Sequence, residues 1–180
     1  MTTPTVSVFG GNEARETEVM YQHARAVGGT LARLGYAVAN GGYGGTMEAS
    51  ARGAKEAGGR TFGVTCRFWT SPPNRFIDEV IETPDLFEYA RRLLEVGQSG
   101  FVVLPGGTGT LVELALAWEL IAKRMAPPRP LVCMTGFWRP VIELMVRQKP
   151  RLADWVTMAE SPGELGKFFP CLPRQPDPRG

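Results

Sequence analysis

The sequence predicts a doubly wound α/β domain, in which helices cover both faces of one parallel sheet. Three observations lead to this prediction. Short apolar runs alternate along the chain with longer segments of helical periodicity. The apolar runs show little polar alternation, which is typical of strands buried on both faces. Glycine-rich loops follow three of these runs, where strands of such a sheet lead into helices. The expected fold class is therefore Rossmann-like.

The first half of the chain predicts three strands with two helices between them. Residues 6–9 predict a strand, and apolar positions at helical spacing over residues 16–34 predict the helix that follows. Residues 36–39 predict a second strand, and residues 46–57 a helix of small residues. Residues 61–65 predict the third strand.

The second half continues the alternation. A proline-rich linker around residues 71–74 leads to an edge strand at residues 79–82. Further strands are predicted at residues 101–104, 131–134 and 155–158. Helices are predicted at residues 85–98, from the third glycine loop to about residue 125, at residues 140–148 and at residues 163–168. The prolines at positions 127 and 128 end the long helix, because proline cannot continue its hydrogen-bond ladder.

Length and composition favour one domain. A single core commonly serves about 100–200 residues. We therefore expect residues 1–169 to form one domain and the proline-rich residues 170–180 to form a frayed tail. No apolar run reaches the ~18 residues that a membrane span needs. Residues 1–5 lack the basic and apolar regions of a secretory signal, so we expect a cytoplasmic location and no membrane partner.

Charge and ligand-type residues argue against nucleic-acid and metal sites. The net charge of +2 arises from basic residues scattered among acids, without the clustered stripe typical of nucleic-acid binding. The three cysteines, Cys66, Cys133 and Cys171, lie far apart and fit neither a disulfide framework nor a zinc site. His23 is the single histidine. We expect no metal ion and no nucleic-acid partner.

The three glycine loops are the main functional signal. Because the carboxyl ends of parallel strands share one edge of a sheet, the loops should gather there and bind a nucleotide-like ligand. The candidate binding residues in the first two loops are Gly10, Gly11, Gly41, Gly42, Gly44 and Gly45. Neither the dinucleotide fingerprint nor the P-loop pattern is present, which argues against nicotinamide chemistry and ATP hydrolysis.

The third loop combines a strand, glycines and a helix start in residues 101–113. Free N–H groups at the start of that helix, together with its dipole, favour a phosphate. The candidate phosphate-binding residues are Gly106, Gly107, Thr108, Gly109 and Thr110. Glu113 follows on the helix, where it is either an ordinary partner of the helix dipole or a catalytic acid.

Residues 105–113 match the motif P-G-G-x-G-T-x-x-E, and by this match the chain resembles the LOG family of cytokinin riboside 5′-monophosphate phosphoribohydrolases, formerly described as lysine decarboxylase-like. Residues 40–48 resemble the second glycine loop of that family, and residues 8–11 its first strand and turn. The resemblance covers about residues 5–158. It is closest to a bacterial branch of nucleotide-binding proteins related to molybdenum cofactor carrier proteins.

The resemblance implies hydrolysis of the N-glycosidic bond of a nucleoside 5′-monophosphate to a free base and ribose 5-phosphate, without a cofactor. It implies that Glu113 pairs with an arginine of the preceding helix, for which Arg91 is the best match and Arg92 its neighbour. The chain departs here from the E-R-K run of the family. One position rotates a side chain by about 100°, so one arginine at most faces the site. Met47 and Glu48 are further possible site residues.

The oligomeric state and an alternative function also have to be considered. The family resemblance implies a homodimer or higher homo-oligomer, with the helix after Glu113 as interface. The alternative function is a binding module that holds a nucleotide or the molybdenum cofactor without turnover. A pyridoxal phosphate enzyme is disfavoured, because Lys55 and Lys123 lie late in their helices and no lysine follows a glycine loop.

Overall fold

A computed structural model describes residues 3–173 as a seven-stranded sheet flanked by helices. The strands are β1 (Thr5–Phe9), β2 (Ala37–Asn40), β3 (Thr61–Cys66), β4 (Glu79–Thr83), β5 (Gly100–Val103), β6 (Leu131–Met134) and β7 (Thr157–Ala159). The helices are α1 (Val19–Arg33), α2 (Thr46–Glu56), α3 (Leu86–Val96), α4 (Thr108–Ala122) and α5 (Arg139–Gln148). Two 3₁₀ segments, Pro150–Trp155 and Pro162–Lys167, flank β7. The second of these replaces the last predicted helix.

The sheet order is β4-β3-β2-β1-β5-β6-β7, and every adjacent pair is parallel. The chain moves outward in one direction from β1 to β4 and then returns to the other side of β1 with β5. Strand order therefore reverses between β1 and β5, the point at which ligands bind in doubly wound sheets. The predicted Rossmann-like fold is confirmed.

Side chains on the two faces of the sheet form two separate cores. Val6 and Val8 point to the face that α1 covers, and both are buried there. Phe9, Phe101 and Val103 point to the opposite face, where they pack with residues of α3, α4 and α5. Burying each such side chain contributes about 1.5–3 kcal/mol. Because both faces are covered, the strands read as continuous apolar runs rather than alternating ones.

Helices α1 and α2 cross at two glycines, which fixes the position of the loops that precede them. A methyl group on Gly28 would lie 1.9 Å from the carbonyl oxygen of Ser50, and one on Gly53 would lie 1.8 Å from that of Arg25. Only glycine permits this backbone contact. The crossing therefore sets how the first two glycine loops meet at the edge of the sheet.

The start of the predicted tail is held against the domain, which corrects the expectation that it frays. The hydroxyl of Tyr36 donates a hydrogen bond to the carbonyl oxygen of Pro170, at 2.9 Å. The backbone N–H of Leu172 donates to the carbonyl oxygen of Leu34, also at 2.9 Å. The buried ring of Phe169 anchors this stretch. The rest of the tail, residues 174–180, lies outside the described residues. Among residues 3–173, no helix has the length and apolar character to cross a bilayer.

Candidate functional site

The first and third glycine loops meet where the strand order reverses. The backbone N–H of Gly11 donates to the carbonyl oxygen of Pro105 at 3.3 Å. A methyl group on Gly106 would lie 2.9 Å from the nitrogen of Gly11, so only glycine lets the loops come this close. The indole N–H of Trp138 donates to the carbonyl oxygen of Leu104 at 3.0 Å and so holds the start of the third loop. The two loops thus form one surface.

Helix α4 begins on this surface with its N-terminus open. No side chain among residues 3–173 caps it, and its first turn carries no acidic residue. Gly107, Thr108 and Gly109 are exposed, and a methyl group on either glycine would meet no protein atom within 4 Å. The unpaired N–H groups of the first turn therefore face free space, an arrangement that favours an anion such as phosphate. Thr110 instead is buried and packs beneath Gly106.

The second glycine loop packs against protein and not against open space. Gly41, Gly42 and Gly45 are buried, and Gly42 and Gly45 have φ values of 75° and 66° that disfavour a side chain. The N–H and hydroxyl of Thr46 both donate to the carbonyl oxygen of Gly11 at 2.9 Å, which closes the N-terminus of α2. In the structure these three glycines pack against protein atoms, and their predicted binding role stays a prediction.

Two other predicted glycines have different surroundings. A methyl group on Gly10 would lie 2.2 Å from the hydroxyl oxygen of Thr46, so this glycine also serves packing. Gly44 is half-buried, and its nearest neighbour, the carbonyl oxygen of Asn12, would lie 3.8 Å from an added methyl group. Of the predicted glycines in the first two loops, Gly11 borders a cavity next to the N-terminus of α4.

Glu113 is a buried acid with a tyrosine partner. Its side chain is on the second turn of α4, and the residue is 8% exposed. The hydroxyl of Tyr89, on α3, donates a hydrogen bond to one carboxyl oxygen at 2.9 Å. Burial raises the pKa of Glu113 to about 8, although the hydrogen bond from Tyr89 acts in the opposite direction. The carboxyl group is therefore mostly neutral at pH 7.

Arg91 and Arg92 form their ion pairs on the outer side of α3. Arg91 is ion-paired with Glu88 and Glu95, and its side chain is 54% exposed. Arg92 is paired with Glu95 at 3.0 Å. Position 91 lies about 200° around the helix from position 89, because each residue turns the helix by about 100°. The face that presents Tyr89 to Glu113 therefore directs Arg91 elsewhere. Within residues 3–173, the expected pair of Arg91 and Glu113 is not formed.

The remaining candidates, Met47 and Glu48, have structural contacts. Met47 is buried, and a methyl group on Gly41 would lie 2.7 Å from its sulfur and from the hydroxyl of Tyr89. Glu48 accepts a hydrogen bond from the hydroxyl of Tyr21 at 3.2 Å, which links α2 to α1.

Sequence reasoning missed the role of Tyr89 and the aromatic contacts around it. The ring of Trp69 makes edge contacts with Tyr43 and Tyr89, with centroids 5.4 Å and 5.1 Å apart. The hydroxyl of Tyr43 accepts a hydrogen bond from the backbone N–H of Cys66 at 3.0 Å. The tyrosine in the E-Y-A-R-R run, which departs from the E-R-K run of the family, was the available signal.

A cavity of about 860 Å³ opens beside the N-terminus of α4. Its walls come from the segment between β1 and α1, from the β5–α4 loop and from Phe137 before α5. Its lining includes Gly11, Glu13, Arg15, Glu18, Met20, Gly106, Gly107 and Phe137. Its size is suited to a small ligand such as a nucleotide. Arg15 and Phe137 were not predicted, since neither belongs to a glycine loop.

Proteins with a similar sequence include an uncharacterised protein and two kinds of enzyme. An uncharacterised protein of Archaeoglobus fulgidus is 36% identical over 132 residues, which are 73% of this chain and 83% of that protein. A cytokinin riboside 5′-monophosphate phosphoribohydrolase of Mycobacterium tuberculosis is 33% identical over 117 residues, 63% of this chain and 62% of the enzyme. A pyrimidine/purine nucleotide 5′-monophosphate nucleosidase of Escherichia coli is 30% identical, but the match spans 25% of its length.

Solved structures with the same fold include molybdenum cofactor proteins. The molybdenum cofactor binding protein of Rippkaea orientalis is 25% identical with a TM-score of 0.74, and the match covers 93% of this chain and 95% of that one. The molybdenum cofactor carrier protein of Chlamydomonas reinhardtii is 26% identical with a TM-score of 0.68, over 91% and 93% of the two chains.

The family model that matches covers residues 3–135, which include β1 to β6 and all three glycine loops. Together with the enzymes named above, it confirms the predicted relationship to LOG proteins. The chain belongs to the SLOG cluster4 family.

Proposed function

We propose that this protein binds a phosphorylated small molecule of the nucleotide class and holds it without cleaving its N-glycosidic bond. The phosphate would lie at the N-terminus of α4, between Gly107 and Gly109. The observation that carries this proposal is the open first turn of that helix, which has no capping side chain within residues 3–173 and faces a cavity of nucleotide size. Nucleotides and the molybdenum cofactor, which the names of the relatives and neighbours mention, are the candidate ligands.

The state of Glu113 supports holding rather than hydrolysis. Cleavage of an N-glycosidic bond develops positive charge on the ribose, which an ionised carboxylate stabilises. An arginine beside the carboxylate would lower its pKa by about 1–3 units. Here Tyr89 takes that position, and burial keeps the carboxyl of Glu113 neutral near pH 7. The carboxyl group also faces α3, whereas the cavity is bounded by the β1–α1 segment and Phe137.

Hydrolysis of a nucleoside 5′-monophosphate to a free base and ribose 5-phosphate is the second candidate. It is favoured by the presence of Glu113 on the second turn of the phosphate-binding helix, and by relatives that are named as such enzymes. In this candidate the ionised Glu113 stabilises the charge on the ribose and orients the attacking water. Turnover would then rise with pH towards about 8, the pKa of Glu113.

Binding and product release, measured on the same samples, separate the two candidates. The purified protein would be titrated with AMP, GMP, CMP, UMP and an N6-modified AMP in a calorimeter, and the mixtures analysed for free base and ribose 5-phosphate. Binding without release supports the proposal. Release that is lost in Glu113→Gln would replace it with the second candidate. Absence of binding to every nucleotide and to ribose 5-phosphate would refute both.

A pair of glycine substitutions tests where the phosphate lies. Gly107→Ala places a methyl group in the open space over the N-terminus of α4 at a φ of −88°, which alanine adopts readily. We expect unchanged stability and weaker binding of ribose 5-phosphate. Gly166→Ala is the matched control, because its methyl group also meets no protein atom within 4 Å but lies in the second 3₁₀ segment. Equal binding by the two variants would place the phosphate elsewhere.

We also propose that two copies associate through α3 and α4. Helix α4 is apolar on several sides, which is typical of a helix that is buried all round. A groove of about 350 Å³ between α3 and α4 is lined by Phe87, Leu116, Leu120 and Met125. Phe87 is 87% exposed and Met125 is 71% exposed in the single chain. A second copy that covers this groove would remove both side chains from water.

A further inference from the structure

The cavity beside α4 has one apolar wall and one polar wall. The apolar wall contains Met20 and Phe137, and Phe137 is 52% exposed. Phe137 makes an edge contact with Trp138, with centroids 5.0 Å apart, and Trp138 is fixed by its hydrogen bond to Leu104. An exposed aromatic ring supported from behind in this way offers a flat surface to a ligand.

The polar wall is the segment between β1 and α1, from which Glu13, Arg15 and Glu18 line the cavity. The backbone N–H of Arg15 donates to a carboxyl oxygen of Glu18 at 3.1 Å. Glu16 is ion-paired with Arg52 of α2. The segment is therefore tied to α2 next to Arg15, through Glu16, while the side chain of Arg15 itself borders the cavity.

Arg15 has no carboxylate partner for its guanidinium among residues 3–173. Arg25, Arg52 and Arg91 form ion pairs with nearby glutamates, whereas Arg33, Arg75 and Arg147 also have none among the described residues but lie outside the cavity lining. A guanidinium presents only donors, in a planar fork, so it is complementary to a group with two adjacent acceptors. On a heterocyclic ring such a pair is a carbonyl oxygen next to a ring nitrogen, as on guanine.

From this geometry we propose that the cavity is the subsite for the ring of the ligand. The ring lies against Phe137, and Arg15 donates hydrogen bonds to a carbonyl oxygen and ring nitrogen on its edge. The inference rests on the proposed function, since the phosphate at α4 fixes the other end of the ligand. It adds a ligand class, namely phosphate esters of flat rings with a carbonyl acceptor. The protein would therefore bind GMP more tightly than AMP, whose exocyclic amino group is a donor.

The test uses ribose 5-phosphate as a probe of the phosphate site alone and GMP and AMP as probes of both parts. Phe137→Ala should weaken GMP and AMP about tenfold, the scale of one lost base–aromatic contact. Phe137→Leu, which keeps apolar bulk without a flat ring, should also weaken both nucleotides. Ribose 5-phosphate should bind to both variants as to the wild type. Unchanged nucleotide affinity in Phe137→Ala would overturn the ring subsite.

Arg15 is tested by its preference among rings. Arg15→Gln should weaken GMP about tenfold and AMP much less, because one bidentate contact to guanine is lost. Arg147→Gln, an exposed arginine of α5 outside the cavity lining, is the control and should change neither. Equal effects of Arg15→Gln on GMP and AMP would refute the hydrogen-bonding role. If the wild type binds ribose 5-phosphate but no variant alters nucleotide binding, this inference fails while the proposed function stands. If the wild type binds none of the probes, both fail.

Discussion

Replacing Glu113 with Gln should remove a pH dependence from the stability of the protein. The pKa of Glu113 is raised from 4.5 to about 8 in the folded protein because the group is buried. Between these pH values the folded chain keeps the proton that the unfolded chain releases. The free energy of unfolding therefore falls as pH rises through this window, is unaffected below it, and levels off above it.

The size of the effect follows from the width of the window. One pH unit of difference in proton affinity corresponds to about 1.4 kcal/mol. Most of the interval between 4.5 and about 8 lies between pH 5 and pH 8. Ionisation of Glu113 should therefore cost the wild type roughly 3 kcal/mol between pH 5 and pH 8. Gln has no proton to lose, so the variant should not show this loss.

The measurement is urea unfolding of wild type and Glu113→Gln at both pH values. From pH 5 to pH 8, the free energy of unfolding of the variant should rise relative to that of the wild type by roughly 3 kcal/mol. Glu119→Gln is the control, because Glu119 lies exposed on the same helix and pairs with Lys123. It should show no such gain at the higher pH. A difference for Glu113→Gln that is the same at both pH values would mean that the carboxyl is already ionised in the folded protein.

Three further predictions concern helix packing, the partner of Glu113 and the proposed dimer. Gly28→Ala should lower the free energy of unfolding by about 1–3 kcal/mol, measured in urea, because its methyl group meets the backbone of Ser50. Tyr89→Phe removes the donor to Glu113 and should raise the pKa of that carboxyl further, which a carboxyl-selective NMR titration would detect. Phe87→Glu should convert a dimer to a monomer in sedimentation experiments without loss of folding, because Phe87 is 87% exposed in the single chain.

The fold was predictable because its strands are buried on both faces. Such strands read as short apolar runs, and their boundaries agree with the structure to within one or two residues at β1, β3 and β6. The edge strand β4 was also predicted from its sequence and pairs with β3. The prediction of an α-helix after β7 was wrong, since the six residues Pro162–Lys167 form a 3₁₀ helix there. A short segment gives too few turns for periodicity to distinguish the two kinds of helix.

The site was less predictable, because sequence does not reveal which glycines face a ligand. Gly107 and Gly41 stand in similar loops, yet one borders open space and the other packs against Met47 and Tyr89. The distinction depends on which residues distant in sequence pack onto each loop, as Tyr89 does at Gly41. The partner of Glu113 depends likewise on the rotation of α3, and a shift of two positions exchanges an arginine for a tyrosine.

The side chain opposite Glu113 determines whether that carboxyl group is ionised in the folded protein. An arginine there would keep the carboxyl ionised and available to a developing positive charge. Tyr89 only donates a hydrogen bond, so burial prevails and the acid stays neutral near pH 7. A phosphate bound at the start of α4 would add negative charge on the same helix and make ionisation of Glu113 still less favourable. Under the proposed function, ligand binding and a neutral Glu113 would therefore reinforce each other.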